Sequence, residues 1–188
     1  MSEKIRAFIA ISLPESVLES MVNAQETLKK SGFKIRWVRK EGMHLTVKFL
    51  GDIDRGDVES IHGAMERATK ASAPFVLQGE GVGVFPDFKR PRVVWAGITG
   101  DGDVLRALQR DLDLQLNGLG FPKEKRLFQG HLTLGRIKDR MDGAKLGKAL
   151  RALGDFRTAS FTVQSLILFQ SELRPDGAVY STLAEARL

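Results

Sequence analysis

The sequence predicts an α+β fold made by duplication of one strand–helix–strand–helix–strand unit. Three observations carry this expectation. The tripeptide His-Leu-Thr occurs twice, at His44–Thr46 and at His131–Thr133, 87 positions apart. Two short apolar segments of β-prone residues, Ile5–Ile11 and Arg92–Ile98, stand at the same offset of 87. Phe75-Val76-Leu77-Gln78 matches Phe161-Thr162-Val163-Gln164 at an offset of 86. Landmarks this far apart that keep register point to an internal repeat rather than to chance among short amphipathic elements. The expectation is one domain over residues 1–188 with units at about 5–85 and 92–173. A pseudo-two-fold packing of the units would bring equivalent strands, and their histidines, to one cleft.

Taken in order, Ile5–Ile11 is bounded by Pro14 and reads as the first strand. Val17, Leu18, Met21, Val22 and Leu28 then recur at helical spacing, with Pro14 near the helix start and Gly32 at its end. The first His-Leu-Thr follows in a run of strand-like alternation, and residues 57–71 read as a second helix. Gly79-Glu80-Gly81-Val82-Gly83 lacks the Lys-Ser/Thr and the helix that a phosphate-binding loop requires, so it reads as a strand or bulge segment. In the second half, Val104, Leu105, Leu108, Leu112 and Leu116 mark a helix that Asp101 or Asp103 can cap and Gly118 can end. Residues 143–153 read as the last helix.

Composition narrows the chemistry. The 188 residues carry 29 Lys and Arg against 23 Asp and Glu, a formal charge of +6, which suits an anionic partner. There is no cysteine, which excludes disulfides, thiolate catalysis and thiolate-bound metals or clusters. No apolar run approaches membrane-spanning length, and the stretch before Pro14 is too short and too charged for a secretory signal, so a soluble cytoplasmic protein is expected.

The repeated motif carries the chemistry. In a strand, residues two apart share a face. His44 and Thr46 then oppose Leu45 and Val47, and His131 and Thr133 oppose Leu132 and Leu134, so the polar pair lines a cleft while the apolar pair faces the core. An imidazole gives or takes a proton near neutrality, and two of them serve as acid and base in cleaving a phosphodiester. Threonine hydroxyls can hold the non-bridging phosphate oxygens as charge builds there. A metal cage needs a third ligand, and neither motif contains a carboxylate, so no metal and no cofactor is expected. His62, in helical register with Val58, Ile61 and Met65, reads as structural.

On these residues the chain resembles the two-histidine (2H) phosphoesterase superfamily, and within it the RNA 2′,3′-cyclic phosphodiesterases, also called 2′-5′ RNA ligases. The resemblance runs through Arg6–Ile11, Arg36-Trp37-Val38, His44–Gly51, Gly83–Pro86, Arg90–Trp95, His131–Arg136 and Leu168–Leu173. It implies a bilobal fold, with two antiparallel sheets facing a central cleft and helices outside. It implies metal-independent hydrolysis of a 2′,3′-cyclic phosphate to a 2′-phosphate, and a possible reverse 2′-5′ joining. Carried onto this chain, His44 is the proton donor, His131 the proton acceptor, and Thr46 and Thr133 are phosphate ligands. The substrate class it implies is RNA ends or small cyclic nucleotides, with no membrane partner, and a monomer is expected.

In proteins similar to this one, the residues five positions after each histidine, Phe49 and Arg136, can hold a nucleobase by stacking and cation–π contact. Simple strand parity puts both on the face opposite the histidines, so this role needs the strands to end or twist near Gly51 and Gly135; the other reading of Phe49 is a core aromatic. Two basic clusters precede the motifs, Lys34, Arg36, Arg39 and Lys40 in one half and Lys123, Lys125 and Arg126 in the other. They read either as a track for RNA phosphates or as solvated loops.

Overall fold

Ile5, Ala7, Ile9 and Ile11 alternate along strand β1 (Lys4–Ser12), and all four are buried against helices. The computed structural model describes residues 3–175 and 177–188. After β1 come α1 (Glu15–Lys29), the two-residue strand β2 (Arg36–Trp37), β3 (His44–Asp54), α2 (Val58–Thr69) and β4 (Phe75–Phe85). The chain continues through β5 (Val93–Gly100), α3 (Gly102–Asn117), β6 (His131–Arg136), α4 (Gly143–Arg151), β7 (Arg157–Val163), β8 (Ser165–Arg174) and β9 (Gly177–Arg187). The helices present the stripes that their spacing predicts: Val17, Met21 and Leu28 on α1, and Leu105, Leu108, Leu112 and Leu116 on α3, are buried.

One helix-end expectation is corrected. Asp101 stands at the start of α3, but its carboxylate accepts the backbone N–H of Val76 and makes no cap hydrogen bond to its own helix. Gly118 caps the end of α3, as expected, in right-handed geometry, and the left-handed turn falls two residues later at Gly120 (φ 92°). Gly32 (φ 73°) has the expected role after α1.

The strands form one curled antiparallel sheet in the order β7-β4-β5-β6-β3-β1-β8-β9, with β2 added beside β6. The order is symmetric about the β6–β3 junction, giving two four-stranded halves with helices packed outside. Each half borrows from the other end of the chain. β4 follows β3 and α2 but pairs with β5, while β8 pairs with β1. The segments 75–78 and 161–164, matched in sequence, lie side by side, with Phe75 opposite Val163 and Leu77 opposite Phe161. Where resemblance implies two sheets, the halves are joined at β3 and β6 by a single paired position, Leu45 with Leu132. The glycine-rich segment is part of β4, with a break in register between Glu80 and Val82 at Gly81 (φ 67°).

Two further irregularities matter more. β3 shifts register against β1 so that Ile9 faces Lys48 and Ala10 faces Thr46, leaving Val47 unmatched. β6 shifts against β5 so that Val94 faces Gly135 and Trp95 faces Thr133, leaving Leu134 unmatched. Val47 and Leu134 are 87 residues apart, so the same bulge occurs at the same place in both halves.

Each bulge is braced by a helix. The carbonyl of Leu134 accepts hydrogen bonds from the backbone of Val38 (3.0 Å) and from the buried Gln25 side chain of α1 (2.8 Å). In the other half the Lys48 ammonium, 3% exposed, donates to Asp113 of α3 (2.5 Å) and to the carbonyl of Pro122 (2.7 Å). Both arrangements satisfy polar groups that the interrupted ladder leaves in the interior.

Candidate active site

The single Leu45–Leu132 pairing brings the two His-Leu-Thr motifs together. In this antiparallel register His44 falls opposite Thr133, and Thr46 opposite His131. The two leucines are fully buried on the helix side, and the four polar residues are half-buried on the other face. Alternation around one buried pair therefore delivers two imidazoles and two hydroxyls to one concave surface.

The bulges bring Phe49 and Arg136 to the same surface. An inserted residue reverses the side-to-side parity of everything after it. Lys48 turns to the helix side, and Phe49 emerges beside Phe8, 6.1 Å between ring centroids. It is 59% exposed, which excludes the core-aromatic reading. Arg136 follows its own bulge, is exposed, and acts electrostatically on His44. The reversal occurs at Val47 and Leu134, before Gly51 and Gly135, where parity alone suggests a twist.

The two histidines are held alike. His131 Nδ1 donates to the carbonyl of Gln129, two residues earlier, at 2.8 Å, and His44 is hydrogen-bonded to the backbone of Gly42, also two residues earlier. With Nδ1 of His131 committed to a carbonyl, Nε2 is the nitrogen free to exchange a proton with a ligand.

Their surroundings differ. His44 stacks on Phe8 (centroids 4.6 Å, interplanar 27°) and meets Tyr180 edge-on at 5.3 Å, above a pocket of about 230 Å³ that Phe169 also lines. This enclosure lowers the His44 pKa to about 4, chiefly by desolvation, with the positive charge of Arg136 adding to it against the hydrogen bond to Gly42. His131 meets Phe85 edge-on at 5.0 Å. Trp95, paired with Thr133, has a buried indole N–H with no hydrogen-bond partner among the described residues.

Phe8, Phe169 and Tyr180 are contributions that sequence reasoning missed as site residues. Phe8 lies in a segment legible only as a strand, Phe169 in a segment whose only mark is family resemblance, and Tyr180 in β9, whose sequence carries no clear alternation.

His62 of α2 contacts the carbonyl of Glu185 in β9 at 2.8 Å and lies outside the site, as expected of a structural histidine. Of the basic clusters, Lys40 forms an ion pair with Glu15 and also lines the pocket beside His44. Arg36 pairs in register with Arg136, and Lys123, Lys125 and Arg126 are exposed between α3 and β6. Among the described residues no three His, Asp or Glu side chains gather as a metal site would. No helix among them is long and apolar enough to cross a membrane.

A family model described as LigT like Phosphoesterase matches residues 11–95 and 99–180. The chain is 34% identical over 185 residues to a protein of Methanothermobacter thermautotrophicus named RNA 2′,3′-cyclic phosphodiesterase, covering 98% of this chain and 100% of that one. It is 32% identical over 181 residues to a protein of the same name from Methanocaldococcus jannaschii, covering 96% and 99%. Its fold is similar to that of TT0787 of Thermus thermophilus, with a TM-score of 0.80 at 27% identity and 98% of each chain covered. It is also similar in fold to E. coli LigT complexed with 3′-AMP, with a TM-score of 0.76, 23% identity and 99% of each chain covered. With two matched His-Leu-Thr strands at its centre and this family match over most of its length, the chain belongs to the LigT-like phosphoesterase family of enzymes.

Proposed function

We propose that the protein hydrolyses RNA 2′,3′-cyclic phosphate ends, or small cyclic nucleotides, to 2′-phosphates by two-histidine acid–base catalysis without a metal or cofactor. The observation that carries the reading is the Leu45–Leu132 pairing, which sets two imidazoles and two hydroxyls on one face. The names of the sequence relatives support the substrate class.

In the proposed reaction His131 Nε2 takes a proton from water as its oxygen attacks phosphorus. The bond to the 3′-oxygen breaks, and His44 delivers a proton to that oxygen, leaving a 3′-hydroxyl and a 2′-phosphate. Each proton transfer contributes on the order of 10²–10⁴ in rate. Thr46 and Thr133 donate to the non-bridging oxygens, where charge grows in the transition state. Phe49 and Arg136 hold the nucleobase between an aromatic face and a planar cation.

The depressed pKa of His44 is that of the protein by itself. A phosphate anion in the cleft favours the imidazolium and draws that pKa back towards neutrality, so binding loads the acid. If a 5′-hydroxyl replaces water, the same steps join it to phosphorus: His131 takes its proton, the bond to the 3′-oxygen breaks, and His44 protonates that oxygen, leaving a 2′-5′ linkage. That direction draws only on the strain of the cyclic phosphate, and hydrolysis dominates in water. The protein is expected to act as a monomer.

The test is turnover of a 2′,3′-cyclic nucleotide in EDTA, with the product followed by phosphorus NMR. The reading expects a 2′-phosphate, full rate in chelator, and loss of about 10²-fold or more in kcat for His44→Ala and for His131→Ala. Unchanged turnover in either variant, or dependence on added metal, overturns it.

A further inference from the structure

The charge of the cleft's outer ends is not symmetric, although the strands are. Beyond Arg136, the β4–β5 loop (86–92) and the segment between β6 and α4 (137–142) carry Lys89, Arg90, Arg92, Lys138 and Arg140, all exposed. None of the five makes an ion pair among the described residues, whereas Lys4, Lys40, Arg55 and Arg157 each do. The matching end of the other half carries Asp52, Asp54 and Asp57; of its cations, Lys4 and Arg55 are paired to Asp54 and Glu3, and Arg6 stands in register with Asp52.

Four of the five cations surround a recess rather than a flat surface. Lys89, Arg90, Arg92 and Arg140 line a cavity of about 470 Å³, with Asp139 and Asp142 also in its wall. Two contacts hold the loops together: Arg92 donates its guanidinium to the carbonyl of Lys138 (2.7 Å), and Ile137 N–H donates to the carbonyl of Arg92 (2.8 Å). Two of the local carboxylates are turned to backbone amides. Asp87 accepts from the N–H groups of Lys89 and Arg90, and Asp142 caps α4. The recess begins one residue beyond Arg136, because Arg136 pairs with Val93.

We propose that this recess binds the phosphates on the 5′ side of the reacting end, so that the body of a single-stranded RNA leaves the cleft over loops 86–92 and 137–142 and not over the acidic end. The proposal rests on the reading of the cleft as a cyclic-phosphate site. Cations left without acidic partners, grouped along one exit from that site, are the electrostatic footprint of a polyanion. The other end, where Lys4 and Arg55 are taken up by Asp54 and Glu3, offers no comparable group of cations, which gives the bound strand one direction.

The experiment pairs two measurements on wild type, on Arg90→Glu/Arg140→Glu, and on Asp52→Lys as a control at the opposite end. The first is anisotropy of a fluorescein-labelled ten-nucleotide RNA ending in a 2′-phosphate, which needs no turnover. The second is hydrolysis of a mononucleotide 2′,3′-cyclic phosphate. The expected result is affinity for the decamer at least about tenfold weaker in the double variant, with a salt slope shallower by about 1 to 1.5. Mononucleotide turnover stays at the wild-type rate, and Asp52→Lys does not weaken binding. Unchanged decamer affinity in the double variant overturns the proposal, as does an equal loss on both substrates. If wild type binds the decamer through these residues but fails to hydrolyse the mononucleotide, the RNA surface stands and the proposed reaction falls.

Discussion

Lys48 and Asp113 form a buried ion pair, 2.5 Å apart with side chains 3% and 13% exposed, between the bulge of β3 and the middle of α3. At the equivalent position of β6 stands Gly135, where an added Cβ would run into Ile35 and come within 3.1 Å of Trp37. The two halves therefore reach the same bulge by opposite means. One inserts a charged side chain under the strand and neutralises it, and the other removes the side chain and fills the space with its neighbours.

Replacing Lys48 by Met leaves Asp113 buried without its partner. Breaking such a pair costs about 3–5 kcal/mol. A lower denaturant midpoint is expected, with part of the loss restored in Lys48→Met/Asp113→Leu, where the stranded carboxylate is gone. Additive losses in the double variant count against the pair as the brace.

Gly135→Ala forces the added methyl into Ile35 and Trp37, an overpacking worth about 1–3 kcal/mol. Because Arg136 follows directly, KM for a cyclic nucleotide is expected to rise alongside the loss of stability. A variant as stable as wild type with unchanged KM contradicts this account of the bulge.

Thr46→Val and Thr133→Val keep shape and remove one hydroxyl each. With the hydroxyls in their proposed role, loss of one donor to a developing phosphate charge is expected to lower kcat by about 10²–10³-fold. Near-symmetry of the strands predicts penalties of similar size, read in steady-state kinetics with a mononucleotide substrate. A variant that changes only KM assigns that hydroxyl to ground-state binding.

His44 titrates at about 4 in the folded protein against about 6.5 for a free imidazole. Below pH 6.5 the unfolded chain takes up a proton that the folded one refuses until about pH 4. The stability associated with neutral His44 is thus fully present above pH 6.5 and is lost as pH falls to about 4, by roughly 3 kcal/mol in all. Urea melts at pH 7 and 4.5 are expected to differ less in His44→Phe than in wild type. Proton NMR of the ring, with and without a 2′-nucleotide, is expected to show the pKa rising on binding.

The histidines and threonines are legible because strand alternation is a local property, and Leu45, Val47, Leu132 and Leu134 declare the buried face without help from the rest of the chain. The placement of Phe49 and Arg136 is not legible in that way. A bulge leaves little mark on composition, and Val47-Lys48 and Leu134-Gly135 read as ordinary strand until the register against β1 and β5 is known. The borrowing of β4 and β8 between halves is likewise a matter of long-range pairing, which strand periodicity does not encode. The aromatic wall around His44 gathers from residues 8, 169 and 180, so no window of sequence contains it.

The sheet is narrowest where its chemistry lies. Four strands on either side are tied to their neighbours over many residues, while β3 and β6 share the one pair Leu45–Leu132. In mechanical terms that pair is a pivot, and the two imidazoles sit on it. A spreading of the outer ends would move the rims of the cleft most and the spacing of His44 and His131 least. Under the proposed reaction, the acid and base would stay matched to one small phosphate while the mouth adapts to whatever is attached to it.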